Sequence, residues 1–315
     1  MTTALVIPSN RESNLKKFLG SWDLKQWDYI VVVEDGPKKT FNIDVDCHYS
    51  WQEIQDSLKD NSWIISKKDS AVRNFGFYAA VRRLGADYVF TLDDDCMPVG
   101  DDFVKKHVKQ LSEQSKWIES VPNIKTRGFP YQNLGLMNNV VLNAGLWINN
   151  LDYDAPQELN RLRNPECDSV PNGTMIVPNG KYMPVCGMNL CFKKEILPLM
   201  YFPLMGEDQM FSRFDDIWCG VILLKVCHHL NLLVAVGEPF VNHSRASNCF
   251  VNLIKEAAGI QRNETFWKVI DDIPMVGSTP SECMLEIADG LQKTMDEYYV
   301  KLGKAISIWV KLVGG

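Results

Sequence analysis

Three consecutive aspartates, Asp93, Asp94 and Asp95, end a run of strand-forming residues, Tyr88-Val89-Phe90-Thr91-Leu92. Adjacent like charges repel, and the end of a buried strand offers them little hydration, so the triplet calls for a cation. In an open α/β sheet, ligands bind just beyond the carboxyl ends of the strands. A hard divalent metal bridging such carboxylates to a diphosphate is the chemistry this pattern can do. The structural alternative is an acidic turn whose aspartate caps the next helix.

Further charged residues fall at comparable points. Glu34 and Asp35 follow Tyr29-Ile30-Val31-Val32-Val33, a continuous apolar run of the kind buried on both faces of a parallel sheet. Arg11 lies in the polar turn after Ala4–Ile7 and Pro8, where it meets a phosphate or a base, or is simply solvated. Lys68 and Arg73 flank Asp69-Ser70, either of which can cap a helix running to Arg83, and a helix amino terminus favours anions. An ordinary basic cap region reads the same way. Asp215 and Asp216 precede an apolar helix, Ile217 to Leu230; one caps it, and the other, aimed into a cleft, could act as a base or stabilise positive charge on a sugar carbon. His243-Ser244-Arg245 follows a strand and turn. A lone histidine is more often structural, but this setting suits phosphate.

The elements that must position these groups are strands over Ala4–Ile7, Tyr29–Val33, Trp63–Ile65 and Tyr88–Leu92 with intervening helices, an α/β half-domain. No Gly-x-Gly-x-x-Gly fingerprint follows the first strand and no Gly-Lys-Ser/Thr phosphate loop occurs, so phosphate charge must be neutralised by a metal. That is the logic of nucleotide-sugar transferases. Beyond a helix over Phe103–Leu111, a strand is expected at Asn143–Ile148, one at Met183–Phe192 around Gly187, and one at Leu232–Val236. The loops Arg127–Tyr131 and Asp152-Tyr153-Asp154-Ala155-Pro156 mix aromatic and polar groups as sugar sites do. After about Asn263, Ile287, Leu291, Met295, Tyr298, Leu302, Ile306 and Trp309 mark a long amphipathic helical tail that packs on the core or forms an oligomer contact.

Composition bounds the partners. The 315 residues suffice for one large α/β domain with an appendage or two small domains. A net charge of −6 gives no reason to expect nucleic acid. The amino-terminal residues do not read as a signal peptide, and no apolar run is long enough to cross a bilayer. Nine scattered cysteines fit reduced, buried thiols in a cytoplasmic protein, and their spacing is not that of a zinc site.

Several strings together resemble one family, the reversibly glycosylated polypeptides, which include plant UDP-arabinopyranose mutases. They are Glu34-Asp35-Gly36, Phe90–Cys96, Arg127-Gly128-Phe129-Pro130, Asp152–Pro156, Cys186–Leu190, Phe214–Trp218 and His243–Asn248, within a likeness running from Leu5 to about Leu253. The chain resembles a divergent, prokaryotic-looking member. The resemblance implies a GT-A-type fold: a Rossmann-like mixed sheet flanked by helices over residues 1–265, with a C-terminal helical extension over 266–315. It implies a nucleotide-diphosphate sugar as substrate and Mn2+ or Mg2+ as cofactor, with Asp93, Asp95 and His243 as metal ligands, Asp93 alternatively meeting the ribose. Pro8, Arg11, Asp35, Lys68, Arg73, Asp93, Asp94 and Arg245 are then the candidate nucleotide contacts, and Asp215 and Asp216 the catalytic pair. The expected activity is a metal-dependent, flavin-independent pyranose/furanose mutase, on a UDP-arabinose-like donor or a GDP-sugar such as GDP-fucose. A glycosyltransferase and a non-catalytic nucleotide-sugar-binding subunit are the alternatives. One departure stands out: plant members carry an acceptor arginine soon after the Arg-Gly-Tyr-Pro string, and Tyr131–Met137 holds none.

Overall fold

The computed structural model describes residues 1–112, 114–117, 124–125, 127–163, 173–244 and 248–314. The amino-terminal half alternates strand and helix: β1 (Thr3–Ser9), α1 (Glu12–Ser21), β2 (Tyr29–Glu34), β3 (Cys47–Tyr49), α2 (Trp51–Leu58), α3 (Arg73–Tyr78) and β4 (Tyr88–Leu92). There follow β5 (Cys96–Pro98), α4 (Phe103–Gln110), a small ladder of β6 (Gln114–Ser115) with β7 (Leu136–Met137), then β8 (Val140–Asn149), α5 (Ala155–Arg163), β9 (Met175–Ile176) and β10 (Asn189–Lys193). The chain closes with α6 (Asp215–His229), β11 (Leu233–His243), α7 (Cys249–Asp271), α8 (Pro280–Gln292) and α9 (Glu297–Val313).

The main sheet runs β3-β2-β1-β4-β10-β8-β11-β5, with β9 also on β11. β3, β2, β1 and β4 are parallel, β10 runs against both β4 and β8, and β11 is parallel to β8. This is the expected mixed, Rossmann-like α/β sheet. Register decides what shares an edge. Asn189 pairs with Leu92 and His243 with both Asn149 and Cys96. The carboxyl ends of β1, β2, β4, β8 and β11 therefore meet the start of β10 along one rim.

Side chains alternate between two covered faces, as the pleat requires. Leu5, Ile7, Val32 and Phe90 join one apolar cluster with α1 and α4 residues; Ala4, Val6, Val31 and Val89 join the other with residues of α2, α3, α6, α8 and α9. Between β8, β10 and β11 a polar knot interrupts the core. His107 Nε2 donates to Asn189 Oδ1 (2.9 Å) and Nδ1 accepts from Asn143 (2.8 Å), while Asn189 also bonds the carbonyls of Leu146 and Pro239. Burial holds His107 neutral, its pKa lowered to about 3.

Three expected elements differ. Trp63-Ile64-Ile65 is not a strand: a 3-10 helix over Lys59–Ile64 ends there, and Ile64 and Ile65 are apolar because both are buried in the core. The third parallel strand is the short β3. Of Met183–Phe192 only the part from Asn189 on is strand, whereas β11 extends seven residues past Val236 to His243. The tail is two helices packed on one another and on the core, with Ile287, Leu291, Leu302, Ile306 and Trp309 fully buried and Met295 exposed in the turn. Gly303 allows the close crossing, since a Cβ there would lie 2.5 Å from the Ala288 carbonyl oxygen. α7 runs unbroken from Cys249 to Asp271, across residue 265. Among the described residues no helix is long and apolar enough to cross a membrane.

Candidate active site at the carboxyl rim of the sheet

The triplet at the end of β4 is divided among three environments. Asp94 turns inward, nearly inaccessible, accepting from Ser9 Oγ (2.5 Å) and pairing with Arg11. Burial raises its pKa against the pull of Ser9 and Arg11. Asp93 pairs with Arg73. Asp95 lies 3.2 Å from Arg11 and 3.9 Å from His243 Nε2, its pKa raised by burial first and by Asp93 next.

Arg73 organises the centre of the rim. The guanidinium, at 1% exposure, donates to Thr91 Oγ1 (2.9 Å), the Ser70 carbonyl (3.0 Å), the Gly187 carbonyl and Asp93. Burial alone would lower its pKa; Asp93, Asp215 and Asp216 outweigh it, so the arginine stays charged. Gly187 is required here because a Cβ would lie 2.7 Å from Arg73 Nη1.

Asp215 and Asp216 open α6 but do different things. Asp215 is buried and accepts from Ser70 Oγ (2.6 Å), its pKa raised by burial. Asp216 is only partly buried, accepts from Gly187 N (3.3 Å), and is raised well above the ordinary range by burial, then Asp215, then Asp152. Burial raises both members, and Asp216 is the more accessible of the two. Donor atoms of Asp152, Cys186 and Asp216 lie within 4.8 Å of one another, close enough to share a cation. Cys186 Sγ however donates to Asp152 Oδ2 (2.8 Å), and burial pushes its pKa well up, so the thiol keeps its proton.

The remaining nucleotide candidates line the same rim at unequal depth. Asp35 accepts from Trp51 Nε1 (2.8 Å) and Lys68 N (3.0 Å), and burial raises its pKa. Lys68 is exposed and paired with Glu207. Pro8 sits in β1 beside Val33. Arg11 is engaged by Asp94 and Asp95. Arg245 lies outside the described residues.

Of the expected metal ligands, Asp95 and His243 stand together at the rim. The Asn150 carbonyl can only accept, so the 2.8 Å contact fixes a proton on His243 Nδ1, and in the neutral ring Nε2 carries the lone pair. That lone pair and an Asp95 oxygen face each other across 3.9 Å, too far for a hydrogen bond. Asp93 instead turns to Arg73. Residue reading missed the supporting contacts of Asn150 and Ser70. Ser70 reads locally as a helix cap and Asn150 carries no local mark, because each acts on a group far along the chain.

The sequence profile of the family described as "Reversibly glycosylated polypeptide" matches residues 3–314. UDP-arabinopyranose mutase 1 of Oryza sativa subsp. japonica is 34% identical over 334 residues, covering 98% of this chain and 89% of that protein. UDP-arabinopyranose mutase 1 of Arabidopsis thaliana is 33% identical, covering 98% and 90%. Among solved structures, glucosyl-3-phosphoglycerate synthase from Mycobacterium tuberculosis, in complex with Mn2+, UDP and phosphoglyceric acid, superposes with a TM-score of 0.47 at 15% identity, over 88% of this chain and 80% of that one.

Proposed function

This chain belongs to the reversibly glycosylated polypeptide family, and from that premise we propose that it is a divalent-metal-dependent, flavin-independent mutase interconverting pyranose and furanose forms of a nucleotide-diphosphate sugar. The observation that carries the reading is the charge arrangement at the rim: a buried arginine, a carboxylate–histidine pair and a partly exposed carboxylate of raised pKa along one edge of the sheet. Its relatives bear the name of UDP-arabinopyranose mutases, which supports an enzyme of nucleotide-sugar chemistry.

Asp95 and His243 would hold the metal, with Asp93 as a further carboxylate beside them. When bound, the ion supplies neutralisation of diphosphate charge. The chain's own groups do the rest. Arg73 fixes Asp93 and, with Lys68 and Arg245, contributes positive charge toward a departing diphosphate. Asp35, anchored by Trp51, bonds the nucleoside. Asp216 faces the electron-poor sugar carbon: it takes a proton from the hydroxyl that closes the new ring and gives one to the ring oxygen that leaves that carbon, after which the diphosphate re-forms its bond to the same carbon. Asp215 is the positioning member, fixed by Ser70. UDP-arabinose is the first donor to try and GDP-fucose the second. Purified protein, Mn2+ and a panel of nucleotide sugars test the reading; it fails if chromatography never resolves a furanose isomer.

The second reading is a glycosyltransferase using the same rim. It is favoured by one observation, the absence of arginine from Tyr131–Met137. Transfer to an added acceptor with no isomerised donor would select it.

A further inference from the structure

The end of α6 remote from Asp215 and Asp216 borders an open cleft of about 620 Å³. α6 has 15 residues, so this cleft lies roughly 20 Å from the carboxylates at its start. It also lies toward the opposite rim of the sheet, where β11 begins rather than where it ends at His243. Three rings form its wall. Tyr182 lies 6.4 Å from Trp267 and 5.9 Å from His228 between ring centroids, both pairs tilted. The Trp267 indole is 40% exposed.

Tyr182 and Lys225 are already fixed on Asp271. Tyr182 Oη donates to Asp271 Oδ1 (2.5 Å), and Lys225 Nζ donates to the Asp271 carbonyl (2.5 Å). Asp272, exposed, stands at the rim. Little ordering is left to be done on binding, which is what lets a weak polar ligand bind at all.

We propose that this cleft is a second carbohydrate site, separate from the nucleotide-sugar rim, and that it takes a short neutral oligosaccharide. A sugar ring has an apolar C–H face and a rim of hydroxyls. The face gains from burial against the Trp267 indole and the Tyr182 ring. The hydroxyls donate to the carboxylates of Asp271 and Asp272, bonds strengthened by charge. The volume is in the range that holds a small organic ligand. Asp271 and Asp272 balance Lys225 and Lys268, whose Nζ lies 5.4 Å from the Trp267 ring centroid, so the cleft has no surplus positive charge for a diphosphate and suits a neutral glycan over the donor. The inference does not depend on the mutase reading, because none of these residues touches the rim.

Titration calorimetry of the full chain with neutral malto-, xylo- and arabino-oligosaccharides tests it, run with and without saturating UDP. The expected result is saturable binding of at least one series, unchanged by UDP and at least tenfold weaker in Trp267→Ala. Asp272→Ala, a substitution at an exposed rim position, is expected to weaken it several-fold while leaving UDP binding and the melting temperature unchanged. Absence of saturable binding for all three series overturns the proposal. So does binding that UDP displaces, or binding indifferent to both substitutions.

Discussion

Arg73 at the start of α3 and Asp93 at the end of β4 form an ion pair whose cationic partner is almost wholly buried. The arginine also binds Thr91 and Gly187, so one side chain ties α3, β4 and the approach to β10 together at the rim. Removing it would strand Asp93, with Asp215 and Asp216 close by, without a counter-charge. Arg73→Ala is therefore expected to cost about 3–5 kcal/mol of stability and to abolish turnover. Arg73→Lys keeps the charge but loses the fork, and is expected to recover part of the stability and little of the activity. Urea denaturation and a donor-turnover assay check both.

Gly187 offers a gentler handle on the same group. A methyl at this position meets Arg73 Nη1 at 2.7 Å, so Gly187→Ala must push the guanidinium away from Thr91 and Asp93. The expected outcome is a fold that persists, with a fall of tenfold or more in kcat. Circular dichroism and steady-state kinetics separate the two, and a variant with unchanged kcat would show that Arg73 does not organise the site.

How much of this was legible in residue order depends on the range of the interaction. β1, β2 and β4 could be read because strands buried on both faces are continuous apolar runs, and the acidic ends of β2 and β4 follow directly. The fate of each aspartate in the triplet could not. Asp94 meets Ser9 and Arg11, Asp93 meets Arg73, and Asp95 faces His243, partners that only register brings together. Trp63–Ile65 was misread for a related reason: burial makes residues apolar whether the backbone is a strand or a 3-10 turn. Asp215 and Asp216 were recognised as a pair, but only Ser70 and Gly187 separate their roles.

Asp69 predicts a gain in stability. Burial raises its pKa well above the ordinary range, with Asp215 adding to the shift, while its carboxylate caps the following turn by accepting from Ala71 N (3.0 Å). A carboxyl raised on folding binds its proton more tightly in the native state. Its effect on stability is thus most favourable below the unfolded pKa of about 4 and is lost as pH climbs through the higher folded value. Asparagine keeps a cap acceptor and removes the charge. Asp69→Asn is expected to be more stable than the parent at neutral pH by about 1 kcal/mol, with the difference shrinking on acidification toward pH 4. Denaturation at pH 7 and pH 4.5 measures both numbers, and a difference that grows on acidification would contradict the assigned shift.

The same rim predicts how divalent ions bind. His243 is held by the Asn150 carbonyl with Nε2 bare toward Asp95, so the two side chains form one donor pair from two strand ends. If that pair holds Mn2+, His243→Ala and Asp95→Ala must each weaken Mn2+ affinity by at least tenfold, and the double variant should lose little more, because residues acting as a unit are not additive. Asp94→Asn makes the contrast. Asp94 points inward to Ser9 and Arg11, so its loss should lower stability while leaving Mn2+ affinity within a few-fold of the parent. Calorimetry with Mn2+ and no nucleotide reads binding alone, independent of turnover. Equal losses at all three positions would mean the triplet acts as a diffuse negative field; a loss confined to Asp95 and His243 would make it a site.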